Sequence, residues 1–201
     1  MSKTLVIVES PAKCKKIEDY LGKGYKVIAS YGHFTNLNDL KQINFKTYEI
    51  QYKIDKTKVL KSIKDEIKKS KEVIIATDDD REGEAIGWTI CQFCHLDVNN
   101  TKKITFQEIT KTALTSALEN IQYVNMDRVK SQQARQILDI YLGYKISPML
   151  WKYVQHKLSA GRCQTPALKL ILIFHHYLTP YNAQKTLNYN THACQSRKLK
   201  Y

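Results

Sequence analysis

Residues 72–88 read EVIIATDDDREGEAIGW. The β-branched run Val73, Ile74 and Ile75 has the composition of a buried strand, and three aspartates follow it at once, then Arg81, Glu82 and Glu84. If the backbone stays extended through the aspartates, side chains alternate: Asp78, Asp80 and, in a longer extension, Glu82 share one side while Asp79 points away. Carboxylates about 6–7 Å apart by their Cα positions repel by about 2–3 kcal/mol at an effective dielectric of about 20. Arg81 offsets part of that repulsion. A hard divalent ion does it better, and Mg²⁺ takes one or two protein carboxylates together with waters and phosphate oxygens. The same residues also read as a solvated acidic turn opening a helix, with Glu82 and Glu84 near its positive end.

Working outward, TLVIVE at the N-terminus reads as a strand. SPAKCKKIEDYLG follows as a helix with Ser10 at the N-cap, Pro11 at the first helical position and a glycine past the last turn. YKVIAS is a second strand, SYGHF a turn, and TKVLKSIKDEIKKS a helix with Val59, Ile63 and Ile67 on one face. A helix from about Gly83 to Phe93, a strand KKITFQE and a helix TKTALTSALEN complete an alternation that predicts an α/β fold, a parallel sheet covered on both faces. Ligand sites in such sheets lie at the carboxyl ends of strands. That rule selects Glu9, which ends the first strand as Asp78 ends a later one, and neighbouring strands would bring both to one crevice. Lys13 lies one turn beyond Ser10, where a helix N-terminus and a lysine together attract phosphate. After about Tyr123 the chain turns mostly helical, interrupted by Gly143, Pro148, Gly161 and Pro166.

The chain has 201 residues, 43% of them hydrophobic, and a formal charge of +13. Over 1–139 there are 23 basic and 19 acidic residues; over 140–201 there are nine basic and none acidic. A long stretch free of acids suits a surface facing a polyanion, most commonly nucleic acid. Five cysteines form no disulfide-scaffold pattern, the N-terminal apolar run is too short for a signal peptide, and no run reaches transmembrane length. A soluble, intracellular protein is expected, cytoplasmic or nucleoid-associated, without a membrane partner. CQFCH at 91–95 matches a haem-attachment pattern and half of a zinc site, but Ile86, Ile90 and Phe93 recur there at helical spacing and no second CxxC follows, so its cysteines read as small apolar core residues. Arg135 and Asp139, four apart, fit a helix-surface ion pair. Tyr144 and Trp151 could stack on bases or pack in a core, and the small, polar segment around Arg162 would allow close approach of a phosphate.

LVIVESPAKCKKIEDYLG, YGHFTNL, ATDDDREGEAIGW, ITFQEIT, QQARQILDIYLGYKISPMLW and LSAGRCQT occur in that order over roughly residues 4–171. Together they closely resemble the type IA DNA topoisomerases, with SPAK closer to the bacterial topoisomerase I branch than to topoisomerase III. The resemblance implies a Toprim domain, a Rossmann-like parallel sheet with helices on both faces, over 1–123. The start of a helical domain that binds single-stranded DNA follows over 124–171, and a divergent basic tail over 172–201. It implies Mg²⁺ positions at Glu9, Asp78 and Asp80, with Glu82 in support, and a lysine contacting the scissile phosphate at Lys13. DNA-contacting positions fall at His33, Arg135, Gln136, Asp139, Tyr144, Trp151 and the segment Ser159, Ala160, Gly161, Arg162, Cys163 and Gln164. Gln136 departs from the arginine common at its place.

The activity implied is relaxation of negatively supercoiled DNA through a transient 5′-phosphotyrosine. The family's tyrosine stands within a threonine-, arginine- and serine-containing motif that this sequence lacks, so the nucleophile is assigned to none of Tyr177, Tyr181, Tyr189 and Tyr201. The chain alone is expected to be truncated or inactive, and an enzyme split across two chains would need a separate fragment carrying the missing domains. The competing readings are a Toprim-type nuclease or primase, which would use the same acids without a tyrosine, and a non-catalytic DNA-binding fragment.

Overall fold

The computed structural model describes residues 3–177. Strand β1 (Thr4–Val8) leads into helix α1 (Pro11–Leu21) and strand β2 (Tyr25–Ala29). Four two-residue strands follow, β3 (Thr35–Asn36), β4 (Ile43–Asn44), β5 (Glu49–Ile50) and β6 (Lys53–Ile54), paired as two antiparallel ribbons, β3 with β6 and β4 with β5. Then come α2 (Thr57–Lys69), β7 (Glu72–Ala76), α3 (Arg81–Cys94), β8 (Lys102–Ile104), α4 (Lys111–Glu119) and the long α5 (Met126–Tyr153). Residues 164–177 are again helical.

The main sheet has the order β2-β1-β7-β8, and its pairs are all parallel. Its pleat divides the core in two. Leu5, Ile7 and Ile75 point to one face and pack with Leu60 and Ile63 of α2, Ile86, Ile90 and Cys91 of α3 and Val129 of α5. Val6, Val8, Ile74 and Ala76 point to the other and pack with Ile17 of α1 and Leu114 and Ala117 of α4. Because both faces are covered, β1 reads as an unbroken apolar run rather than an alternating one.

The chain leaves β1 toward one face through α1 and leaves β7 toward the other through α3. β1 and β7 are hydrogen-bonded neighbours with Val8 opposite Ala76. Their carboxyl ends therefore form the switch point where such sheets open a crevice. The two strands expected to bring Glu9 and Asp78 together are adjacent in this way.

Several local expectations need correction. Ser10 occupies the N-cap of α1, but its side chain makes no capping bond. The strand read from KKITFQE is confined to Lys102–Ile104. Cys91 and Cys94 lie on α3, with Cys91 fully buried, and burial pushes both thiols up to about 11, which leaves them protonated packing groups, as read from the helical spacing.

The described contacts divide the chain into a compact unit through Ile140 and a second from Tyr141. In the second, Trp151 lies flat on His156 (centroids 5.5 Å apart, 6° between planes) and donates from Nε1 to the Leu158 carbonyl at 2.6 Å. The Ala160 amide donates to Ser147 Oγ at 3.1 Å, which anchors the segment 159–164 to α5, and Gln164 Nε2 donates to Ser159 Oγ at 3.1 Å, which joins the segment's two ends to each other. Among the described residues, no helix is long and apolar enough to cross a membrane.

Candidate active site

Strand β7 ends at Ala76 and the chain bends at Asp79 and Asp80; Asp80 itself is extended (φ −137°, ψ 179°), and its carboxylate caps α3 by accepting from the Gly83 amide at 2.7 Å. The helix begins at Arg81, two residues before the Gly83 expected from the sequence. Glu82 therefore reaches the site from the first helical turn and not as the next residue of an extended strand. Gly83 is required there: a Cβ at this position would lie 2.3 Å from the Asp78 carbonyl oxygen.

The charges around the aspartates are arranged differently from the simplest expectation. Arg81 turns to Ser131, with Nη1 donating to Oγ at 3.4 Å. Asp78 is instead neutralised by Lys13, whose Nζ lies 2.8 Å from Oδ1, and Asp79 pairs with Arg128 of α5. Lys13 reaches Asp78 because α1 starts where β1 ends, beside β7. Glu9 completes the group. Burial raises its carboxyl above the ordinary 4.5, Asp78 and Asp80 raise it further, and Lys13 and His33 pull it back.

Glu82 is the hub of a second layer. His33 Nε2 and Gln132 Nε2 each lie 3.1 Å from Glu82 Oε2, and Arg135 Nη1 lies 3.9 Å from Oε1. Arg135 also approaches Asp139 at 3.9 Å, so the helix-surface pair expected from spacing coexists with a contact to the site. Gln136 turns elsewhere, accepting a 3.0 Å bond from the Tyr52 hydroxyl, which burial pushes up to about 12. Tyr144, Trp151 and residues 159–164 belong to the second unit. Tyr181, Tyr189 and Tyr201, with most of the basic tail, lie outside the described residues.

Three participants escaped the sequence reading. Arg128 and Gln132 stand on α5, about 50 positions from the acids they contact, with only the helical spacing of polar residues as a signal. The third is the pair Glu84–Lys103. Glu84, read as a solvated first-turn acid, is buried; its Oε1 accepts from the wholly buried Lys103 Nζ at 2.6 Å and its Oε2 accepts from the Asn125 amide at 3.0 Å. This ion pair ties α3 to β8 and to the residue before α5.

Two clefts flank the acids. One, of about 510 Å³, is lined by Glu9, Ser10, Pro11, Tyr31, Gly32, Lys56 and Val59; the other, of about 460 Å³, is lined by Lys13, Asp78, Asp79, Asp80 and residues 106–109. Among the described residues, no three His, Cys, Asp or Glu side chains stand close enough to enclose an ion by themselves. The donor chemistry nonetheless suits Mg²⁺, which needs only one or two protein carboxylates; Glu9 is raised first by burial, and the neighbouring Asp78 and Asp80 add to it.

The Toprim domain family matches residues 4–109, and a DNA topoisomerase family model matches residues 123–176. The chain belongs to the type IA DNA topoisomerase family. Full-length topoisomerase I from Thermotoga maritima is similar to it at 40% sequence identity and a TM-score of 0.74, over 83% of this chain and 29% of that one. The present topoisomerase-family chain thus spans about 29% of the length of that solved relative. Its α/β region is a Toprim fold followed by a helical segment, as the sequence implied.

Proposed function

We propose that this chain supplies the acidic, phosphate-handling half of a type IA topoisomerase centre, with residues 1–123 as its Toprim domain and 124–171 as the start of its single-strand-binding helical domain. The observation that carries this reading is that Glu9 and Asp78 follow the ends of the adjacent parallel strands β1 and β7, with Lys13 on Asp78 and with Glu9 feeling the charge of both Asp78 and Asp80. Lys13 presents its ammonium to a phosphoryl oxygen, where a preorganised charge stabilises the negative charge that builds during transfer. His33 and Arg135, held by Glu82, present further donors to the DNA backbone. Gln132 and Arg128 fix α5 against Glu82 and Asp79, so the donors on that helix keep their register to the acids.

Of Glu9, Asp78 and Asp80, one or two at a time would hold Mg²⁺, with waters and phosphate oxygens completing its shell, and the ion would offset charge on the phosphate and orient it. The acid-free stretch after 139 supports binding of single-stranded segments of underwound duplex, with Tyr144, Trp151 and residues 159–164 as contacts. None of the chain's tyrosines stands in the family's nucleophile context. Strand cleavage then needs a tyrosine supplied by further sequence or by a separate fragment, because the acids and Lys13 offer no protein nucleophile to conserve the phosphodiester bond.

The test is plasmid relaxation by the 201-residue chain, alone and with a tyrosine-bearing topoisomerase fragment, alongside Mg²⁺-dependent thermal shifts. Relaxation only with the added fragment, and a Mg²⁺ shift that Asp78→Ala with Asp80→Ala abolishes, are expected. Relaxation by the chain alone, or a Mg²⁺ shift that survives the double substitution, would refute the assignment.

A further inference from the structure

Building on the nucleic-acid reading above, we infer that the cleft on the Glu9 side of the acids seats one unstacked base of a single strand, with Tyr31 as its stacking platform. The cleft's volume, about 510 Å³, falls within the roughly 300–1,000 Å³ typical of small-molecule sites, and Glu9 forms one wall, so an occupant lies directly beside the carboxylate cluster. Pro11 and Val59 supply apolar surface, Tyr31 an aromatic ring and Lys56 a cation. An aromatic face and a cation on a groove are the combination by which proteins hold single strands without reading sequence.

The backbone points the same way. Tyr31 is 54% exposed, yet it adopts the left-handed conformation (φ 57°) that a bulky side chain disfavours, immediately before Gly32 (φ 71°). Three bonds hold it there: the Ser30 amide donates to the Val8 carbonyl at 2.8 Å, the Gly32 amide donates to the Glu9 carbonyl at 3.1 Å, and Lys56 Nζ donates to the Tyr31 carbonyl at 2.6 Å. Lys56 occupies the N-cap of α2, where a short polar side chain would serve the helix better; its side chain crosses to the Tyr31 turn instead and keeps two ammonium protons for a phosphate. Glycine would carry this conformation without strain, whereas the tyrosine also keeps more than half of its surface in solvent. The aromatic ring is therefore maintained against local conformational preference, at the edge of the site.

The experiment uses the full chain in Mg²⁺ buffer with an oligo-dT strand carrying a single 2-aminopurine, moved along the strand one position at a time. Fluorescence reports stacking and anisotropy reports binding. Stacking should quench 2-aminopurine at one position. Tyr31→Ala and Tyr31→Gly should abolish that quench and weaken binding about 5-fold or more, Tyr31→Phe should preserve both, and an abasic site at that position should make wild type and Tyr31→Ala equal. The circular dichroism spectrum and cooperative melting of Tyr31→Ala and Tyr31→Gly should match wild type in form, which separates a lost platform from a damaged fold. Free 2-aminopurine deoxyriboside should show no quench, so the site takes a base delivered by a strand. Strand binding with a quench that survives Tyr31→Gly would overturn this inference alone; failure of the chain to bind single strands at all would overturn it together with the reading on which it rests.

Discussion

Gly83 and Gly87 stand one helical turn apart on α3 and make opposite predictions for substitution by alanine. A Cβ at Gly83 would lie 2.3 Å from the Asp78 carbonyl oxygen and 3.2 Å from its carbon and nitrogen, all backbone atoms that no side-chain rotation can move. Ordinary contact needs roughly 1 Å more, so Asp78 must shift by about that distance; overpacking of this kind costs about 1–3 kcal/mol. For a chain of this length that corresponds to a fall in melting temperature of about 2–4 °C per kcal/mol. A Cβ at Gly87 would meet only Ile75 Cγ2 at 3.4 Å and Val124 Cγ2 at 3.6 Å, ordinary contacts, and alanine gains up to about 1 kcal/mol in helix propensity. Gly83→Ala should therefore destabilise the chain and, by displacing Asp78 from Lys13, reduce the Mg²⁺-dependent thermal shift, whereas Gly87→Ala should be neutral or stabilising with the shift intact. Chemical and thermal unfolding of the two variants, each with and without Mg²⁺, is the assay. Equal behaviour of the two would refute the argument that the Asp78 backbone is held by close packing against Gly83.

Lys103→Met should destabilise by about 3–5 kcal/mol, because it leaves Glu84 charged and buried, and Glu84→Gln added to it should recover part of the loss; urea unfolding of the single and double variants tests this, and a near-neutral single variant would contradict it. Hydrogen bonding to Lys26, supported by Lys69, holds the Glu66 carboxyl below its ordinary 4.5, so its contribution to stability is present at neutral pH and is lost as pH falls through the lowered value. Glu66→Gln should accordingly lower the melting temperature at pH 7 and match wild type in strong acid; a deficit that does not shrink on acidification would count against the pairing. Single-strand affinity should fall steeply with salt, and Arg135→Ala and Arg162→Ala should each reduce the log–log slope by about 0.7 if each neutralises one phosphate, as titrations at several salt concentrations would show.

The sequence by itself determined the four strands of the main sheet (though not the short ribbons β3–β6), the helices between them and the placing of Glu9, Asp78 and Lys13 at element ends, because these follow from local periodicity, capping and turn chemistry that operate within about ten residues. The apolar run Val73–Ile75 followed by three aspartates could hardly be read otherwise. Only tertiary structure decided which charge meets which. In sequence Arg81 is the nearby charge that could neutralise the aspartates, yet Lys13 takes Asp78, Arg128 takes Asp79 and Arg81 goes to Ser131. Glu82 and Glu84 are two residues apart on one helical turn; Glu82 stays half exposed among His33, Gln132 and Arg135, whereas Glu84 is buried on Lys103. A helix turns about 100° per residue, so two residues separate faces by about 200°. Which face meets solvent and which meets β8 depends on how α3 is laid across the sheet, and that is fixed by long-range packing of Ile86, Ile90 and Cys91 against Leu5, Ile7 and Ile75, beyond the reach of any local pattern.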